Sequence, residues 1–575
     1  MDIGIEALRS QLREAVEECS ARGLVFSTKW AAEQLCSLPP SISEAEDTQG
    51  AGSKATPTLK HRLRGAAGRV PQTPSAAAEG EALESGDSLL VEEEKWRQLD
   101  ASERDRLALG KSLFDVREFE RAAFMLQGCR GPRAVFLRLY ARFLNSERRA
   151  AEAGEGSSDE SSGAAAAVAE ISAELVALDA AGGLDGLGVY LLALALKASG
   201  RRDEARDACV RAVRAFECNW SAWQLLAGLA GAQAAAVCPT TGWVRHAFLA
   251  QALVAEATGD FAGHVAALER AVGRNGFVMG LRAQRHYRMR EYEEAAREFA
   301  ALQELDPFRL ELSDAHSHVL HTIEDRGRLA VLAQRCAAVD RFRPETCIVI
   351  GNYYSLRGER DKAAGYFRRA VQLDGACREA WVLLGHELIE LKNTAGAVDA
   401  YRHVTEIDAR DVRAWYGLGK VYEMLNMPHY ALHYHARAAA LCPHDSRMWC
   451  ALGDCYDRAA QPDRAVACYR RALHASPEAR AHAAVHLARL YVAAGDRPRA
   501  AHCFRLLLAH AASDAGDDVA DACLFLASFE LDRRNTRAAR QYLAQVADAA
   551  PYRAEEASAM LRAMASAGDP GDSLW

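Results

Sequence analysis

The sequence predicts an all-α chain built as a solenoid of paired helices, and three observations predict it. Trp381, Trp415 and Trp449 stand 34 residues apart, each followed at the same offset by a Leu-Gly pair: Leu384-Gly385, Leu418-Gly419 and Leu452-Gly453. The same register carries the small residues Ala397, Ala431 and Ala465, the ring residues Tyr401, His435 and Tyr469, and the closing prolines Pro443 and Pro477. Nowhere in the 575 residues does a convincing strand pattern interrupt these helical periods.

A 34-residue period carrying W-x2-L-G, a small residue, an aromatic and a final Pro is the tetratricopeptide signature, with two antiparallel helices per unit. Each position has a task. Gly lets two helices approach closely, Ala fills the facing notch, the ring plugs the gap to the next unit, and Pro stops a helix because it has no N–H to donate. The expected fold is an all-α, right-handed superhelical solenoid of tetratricopeptide repeats, whose function resides in surfaces and grooves. Trp415 is expected to be buried between helices, so that Trp415→Ala would destabilise by about 3 to 5 kcal/mol.

Taken in order, residues 1–40 read as an N-terminal helical segment, amphipathic up to Leu38 and ended by Pro39-Pro40. Residues 41–95 dissolve into Ala, Gly, Ser, Pro and Thr around the basic patch Lys60-His61-Arg62-Leu63-Arg64, which predicts a disordered insertion. The first repeat units occupy 96–146, with Leu109-Gly110, Ala122 at the small position, and a helix from Ala134 to Leu144. Residues 147–168, containing Ser157-Ser158-Asp159-Glu160-Ser161-Ser162, read as a second disordered insertion whose composition suits phosphorylation but, as a solvated loop, needs no function. The middle repeats fill 169–343, marked by Ala205, Trp223, Ala295, Phe299 and Pro307, and ending in a degenerate unit from Glu311 to Phe342. The C-terminal repeats fill 344–552: Gly351, Ala363 and Phe367, the three Trp-marked units, then Leu487-Ala488, Ala500 and Phe504 with one added residue, then Leu526-Ala527, Ala539 and Pro551. A C-terminal helix and frayed tail are expected over 553–575.

Composition narrows the function. Half of the residues are hydrophobic and 26% charged, which suits a folded protein, and a net charge of −8 without a basic stripe argues against nucleic acid as a partner. The 15 cysteines contain no C-x-x-C to start a zinc site and sit mostly beside Ala and Leu, so they read as small core residues in a reducing compartment. The N-terminus lacks the basic start and apolar run of a signal peptide, and the most apolar stretch, Leu187 to Leu196, is too short to span a membrane. Gly110-Lys111-Ser112 and Gly419-Lys420 fail as phosphate loops, because Asp105 and Ala414 stand where the leading Gly is needed. His429 and His433 share a helix face but lack a third ligand. Asn219-Trp220-Ser221 matches a glycosylation acceptor, which means nothing without secretion. No catalytic residues, metal or cofactor are expected, and no enzyme.

What remains is the inner face. In a tetratricopeptide unit the first helix faces the concave side through positions two, five, nine and twelve. These are Glu345 and Asn352, then His386, then Arg413, Tyr416, Lys420 and Glu423, then Arg447, Asp454 and Asp457, with Glu387 and Glu390 on the rim. The candidate partner-binding residues are Asn352, His386, Glu387, Tyr416, Lys420, Glu423, Asp454 and Asp457, set against the plain alternative of a solvated face.

Several strings go beyond what the repeat demands: Ile350-Gly351-Asn352-Tyr353-Tyr354-Ser355-Leu356-Arg357, Gly385-His386-Glu387, Lys392-Asn393-Thr394, Ala400-Tyr401-Arg402-His403 and Arg413-Ala414-Trp415-Tyr416. With Gly23-Leu24, Ser27-Thr28-Lys29-Trp30, Phe114-Asp115-Val116, Leu184-Asp185-Gly186 and Asp445-Ser446-Arg447-Met448, they resemble the anaphase-promoting complex subunit 8 family, of the cell-division-cycle 23 type, over roughly residues 20 to 550. The two Ala- and Gly-rich insertions and the short tail depart from that family. The resemblance implies a non-catalytic scaffold of a multisubunit ubiquitin ligase, acting in mitotic progression and exit, in nucleus and cytoplasm. It implies a homodimer paired through N-terminal repeats, contacts to other subunits of the complex, and a C-terminal groove that takes the basic C-box of a WD40-type coactivator. Asn352 would then fix the peptide backbone, and Glu423, Asp454 and Asp457 would meet its arginines. A sibling scaffold subunit of the same ligase is the nearest rival. A chaperone adaptor would need Lys and Arg where Ile348 and Gly417 stand, and a glycosyltransferase would need an α/β domain for which no segment is long enough.

Overall fold

A computed structural model describes residues 5–38, 103–152, 158–230, 242–255, 259–475, 479–510, 516–549 and 554–566. The described residues form α-helices and one short 3-10 turn, without a strand, and fall into two compact units, Met1–Pro307 and Phe308–Trp575. The first unit holds α1 (Ile5–Ala21), α2 (Val25–Ser37), α3 (Arg104–Asp115), α4 (Phe119–Met125), α5 (Pro132–Glu152), α6 (Ser158–Ala180) and α7 (Gly186–Ala198). It continues with α8 (Arg202–Ala215), α9 (Trp220–Ala230), α10 (Trp243–Ala252), α11 (Phe261–Val272), α12 (Gly276–Arg288) and α13 (Tyr292–Leu305). The second holds α14 (Ser313–Thr322), α15 (Arg326–Val339), α16 (Pro344–Leu356), α17 (Arg360–Leu373), α18 (Arg378–Glu390), α19 (Thr394–Ile407), α20 (Val412–Met424) and α21 (Pro428–Leu441). After these come α22 (Ser446–Arg458), α23 (Pro462–Ala475), α24 (Arg480–Ala493), α25 (Arg497–His510), α26 (Gly516–Asp532), α27 (Thr536–Ala549) and α28 (Ala554–Ser566).

The tetratricopeptide register is written into the backbone. Arg290, Glu324, Gly358, Lys392, Asn426 and Ala460, each 34 residues after the last, all take a left-handed conformation, with φ between 54° and 79°. Each ends the first helix of a pair. At Gly358 the bonds are Gly358 N–H to Ser355 O (2.9 Å) and Glu359 N–H to Tyr354 O (3.0 Å), which satisfy the last carbonyls of α16 as a left-handed cap does. Only one of the six is Gly, so elsewhere the cap is formed despite the steric cost of a side chain at positive φ, on the order of 1 kcal/mol.

Packing within each pair follows the Leu-Gly and ring positions. A Cβ added to Gly351 would lie 2.4 Å from the Phe367 ring, one on Gly385 2.7 Å from Tyr401, and one on Gly453 2.7 Å from Tyr469. Tyr401 is also met from the far side by Gly417 of the next repeat, where a Cβ would lie 2.5 Å away. Each ring is therefore clamped by bare backbone, and Tyr401 joins two repeats.

The opening tryptophans behave differently from expectation. Trp381, Trp415 and Trp449 are half-buried, and each indole donates its N–H to the carbonyl six residues earlier, at Gly375 (2.9 Å), Ala409 (3.0 Å) and Pro443 (2.9 Å). Trp415 therefore latches the loop between repeats and is not enclosed between helices. The fully enclosed tryptophans are Trp220 and Trp223, in the first unit.

The first unit also holds a long-range closure that the sequence does not announce. Trp30 of α2 stacks on Trp220 (4.6 Å between ring centroids) and Trp243 (5.5 Å), and meets Phe277 edge-on. Ser27 Oγ donates to Asn219 Oδ1 (2.9 Å), and Asn275 Nδ2 donates to Gln34 Oε1 (2.7 Å). The segment expected to stand apart as residues 1–40 is thus part of the core of this unit.

Three expectations about organisation fare differently. Of residues 147–168, expected to be disordered, 147–152 end α5 and 158–168 begin α6, because Ala-rich sequence has high helix propensity and Glu174 of α6 accepts from Arg138 (2.6 Å) and Arg142 (2.9 Å) of α5, while 153–157 lie outside the described residues. The unit boundary falls at 307/308, so the degenerate repeat up to Phe342 belongs with the second unit and not with a middle block ending at 343. The insertion at 41–95 and the tail beyond Ser566 lie outside the described residues. The cysteines that are described are free thiols, mostly buried, and no helix among the described residues is long and apolar enough to cross a membrane.

These environments rank the side chains. Tyr401→Ala is expected to destabilise the chain by about 3 to 5 kcal/mol, the range for emptying an enclosed aromatic site. Trp415→Ala should cost only about 1 to 2 kcal/mol, for a half-buried ring and one loop hydrogen bond. Urea denaturation followed by circular dichroism measures both, and equal losses would contradict the ranking.

Candidate functional site

The first helices α14, α16, α18, α20 and α22 of the second unit present two columns of polar residues at 34-residue spacing. One column runs Glu345, Glu379, Arg413, Arg447, and the other His318, Asn352, His386, Lys420, Asp454. The period places each residue beside its counterpart in the next repeat, so ion pairs form between repeats. Arg413 grips Glu379 with two bonds (2.6 and 2.9 Å) and turns its remaining donors to Asp411 (2.8 and 3.1 Å). Burial would raise the Glu379 pKa, but the bonds and charge of Arg413 outweigh it and hold the carboxyl below its usual range. Arg447 pairs locally, with Asp445 (2.6 Å).

Not every expected site residue is free to bind. Asn352 is 2% exposed, and its Nδ2 donates to Ser317 Oγ at 2.8 Å. Glu387, expected on the rim, is 5% exposed and accepts from Ser355 Oγ (2.6 Å) and Arg360 (3.2 Å). It faces α17 because it follows His386 on the helix by one residue, about 100° round the axis. Glu423, expected as an open carboxylate, has a side chain only 6% exposed. Four donors surround it: His435 Nε2 (3.0 Å), Cys455 Sγ (3.0 Å), Lys420 Nζ (3.1 Å) and Arg458 (3.4 Å). Burial pushes its pKa up, yet the bonds from His435 and Cys455 and the charge of Lys420 overcome this and hold it at about 2.

His435 occupies the ring position of its repeat, fully buried under Gly419, whose added Cβ would lie 2.5 Å from the imidazole. A polar ring is tolerated there because Glu423 takes its Nε2 proton in a hydrogen bond. Tyr416 lies edge-on to that ring, 5.4 Å between centroids, and is half-buried.

Open to solvent are His386, Lys420 and Asp457, with Asp454 partly so. Asp457 makes no ion pair among the described residues. Asp454 accepts from Tyr469 Oη (2.6 Å) and His482 Nε2 (3.4 Å). Burial alone would raise its pKa, but His482 and Tyr469 together lower it. His482 and His486, four residues apart on α24, went unnoticed in the sequence although their spacing equals that of His429 and His433. What distinguishes the pair is Asp454, supplied from another repeat.

Comparison with known proteins places this geometry. A family model described as anaphase promoting complex subunit 8 / Cdc23 matches residues 7–259, and tetratricopeptide-repeat models match 379–411 and 446–478. The chain is 32% identical over 400 residues to anaphase-promoting complex subunit 8 of Arabidopsis thaliana, covering 68% of this chain and 66% of that protein. This chain belongs to the anaphase-promoting complex subunit 8/Cdc23 family. It is also 28% identical over 466 residues to subunit CDC23 of the Saccharomyces cerevisiae complex, covering 69% of this chain and 71% of that one, and 34% identical over 347 residues to the mouse cell division cycle protein 23 homolog, covering 58% and 50%. The family match lies wholly in the first unit, where Trp30 docks on Trp220 and Trp243, while the second unit carries the plain repeats.

Acid stability reads out the Glu423 arrangement. Its folded pKa lies below the ordinary 4.5, so its stabilising contribution is complete above pH ~4.5 and is lost as pH falls towards 2. Glu423→Gln should therefore be less stable than the parent at pH 6 by about 2 kcal/mol, with the gap closing below pH ~3. Urea midpoints measured across that range test it, and a gap independent of pH would show that Glu423 is not held ionised by its neighbours.

Proposed function

We propose that this chain is a non-catalytic scaffold subunit of the anaphase-promoting complex, which pairs with a second copy through its N-terminal repeats and uses the inner face of its second unit to take a short basic segment of a WD40-type coactivator. Family membership supports the scaffold role and contact with other subunits of the complex. We further propose that it acts in the nucleus and cytoplasm. The observation that carries the binding face is the pair Asp454 and Asp457 on α22, Asp457 open to solvent and Asp454 partly so, with no Arg or Lys partner among the described residues. Guanidinium groups suit such acceptors, each charged hydrogen bond contributing about 1.5 to 3 kcal/mol.

The revised geometry changes which residues do this. Asp454 and Asp457 keep the role of meeting arginines, Tyr416 and His386 offer ring edges, and Asn352, Glu387 and Glu423 act by holding the helices that display them. A flexible segment loses entropy on ordering, so several weak contacts must combine.

Fluorescence anisotropy with a labelled C-box peptide tests the face. Asp454→Lys with Asp457→Lys is expected to weaken binding at least about tenfold, roughly 1.4 kcal/mol, while helicity is unchanged. Unchanged affinity would move the site elsewhere. Pull-down of the tagged chain should recover a cullin-like subunit, a RING subunit and sibling repeat proteins, whereas recovery of heat-shock proteins alone would overturn the scaffold role. Light scattering of the full chain should report a dimer, with cross-links between copies confined to roughly residues 96–300.

A further inference from the structure

His482 and His486 project from one face of α24, their ring centroids 4.3 Å apart. Asp454 reaches them from α22, its Oδ2 standing 3.4 Å from His482 Nε2 and its Oδ1 4.0 Å from His486 Nδ1. One ligand atom from each of the three lies within 4.8 Å of the others. Two imidazoles and a carboxylate are the donor set of open zinc sites, and a tetrahedral ion with bonds of about 2.0 to 2.1 Å separates its ligand atoms by roughly 3.3 Å. The Asp454–His482 distance of 3.4 Å already matches that edge.

The surroundings supply what a ligand set needs from its second layer. Tyr469 Oη donates to Asp454 at 2.6 Å and fixes the carboxylate, and the buried Tyr469 ring stacks on His486 with centroids 5.6 Å apart. Access is open: the side chains of Asp454, His482 and His486 are 25%, 48% and 30% exposed, which leaves room for water on the remaining coordination positions. The cation Arg489, on the same helix, is turned to Asp518 (2.7 Å) and Asp521 (3.7 Å). The contrast with Glu423, His435 and Cys455 is informative. Those three also bring ligand atoms together, but Lys420 and Arg458 already neutralise that carboxylate, and the cluster is closed over.

We propose that Asp454, His482 and His486 bind a divalent transition-metal ion of the zinc type, which clips the first helices of two repeats together across the inner face and, while bound, withdraws Asp454 from any coactivator contact and leaves Asp457 to meet the arginines. Imidazole nitrogens and one carboxylate favour zinc, nickel or copper over magnesium and calcium, which prefer all-oxygen shells.

Isothermal titration of the full chain with zinc chloride at neutral pH tests the site, with cobalt(II) absorption as a spectroscopic reporter of nitrogen and oxygen ligands. One site is expected that is lost in His482→Ala and again in His486→Ala. Tyr469→Phe, which removes only the hydroxyl that orients Asp454, should weaken the site by about tenfold or more. His429→Ala with His433→Ala should leave it intact, which separates it from stray histidine and cysteine binding. Circular dichroism confirms that each variant is folded. Zinc uptake unchanged by His482→Ala and His486→Ala, or no uptake by the parent chain, would overturn the proposal.

Discussion

The contact between a bare glycine on the first helix and a ring on the second, repeated in the four pairs from α16 to α23, is the constraint on which the second unit depends. Gly351, Gly385 and Gly453 give up a side chain so that Phe367, Tyr401 and Tyr469 can lie against backbone. Close-packed interiors transmit any change in such a contact, and in a solenoid each repeat has only its neighbours to lean on. Tyr401 shows the consequence most directly, since it touches Gly385 of its own repeat and Gly417 of the next. The spacing between helices that this contact imposes also sets the spacing of the polar columns on the inner face.

His435 modifies the same contact and links core to surface. An imidazole at the ring position needs a buried acceptor, Glu423 supplies it, and Glu423 in turn collects Lys420, Cys455 and Arg458. A residue that reads in sequence as part of a binding face is thereby committed to the interior. Its charge stabilises the repeat and is screened from any ligand. Asp454, one repeat further on, has the opposite outcome, because the ring beneath it is Tyr469, which donates one hydrogen bond and leaves the carboxylate directed outward.

The first unit is held by a different device. Its N-terminal helices return to pack on α9, α10 and the start of α12, so Trp30 is enclosed by aromatic residues far along the chain. Residues between them in sequence, such as Phe136, Leu139, Leu191 and Cys209, belong to the same buried cluster as Trp30.

The repeat was legible in the sequence because its signals are local and periodic: the Trp-Leu-Gly spacing, the small residues, the rings and the family strings each lie within one 34-residue window. The columns on the inner face followed from the same period. Whether a given polar side chain in those columns is free was decided only in three dimensions, because it depends on which donor another helix brings within about 3 Å. So Glu387 went to Arg360 and Ser355, Asn352 to Ser317, and Glu423 to four neighbours, while Asp457 stayed open. The docking of Trp30 and the meeting of Asp454 with His482 and His486 were likewise invisible to periodicity. The sequence by itself determined the repeat and the order of its helices, because these depend on neighbours in the chain, and tertiary structure decided which charges are spent and which remain, because burial and pairing depend on neighbours in space.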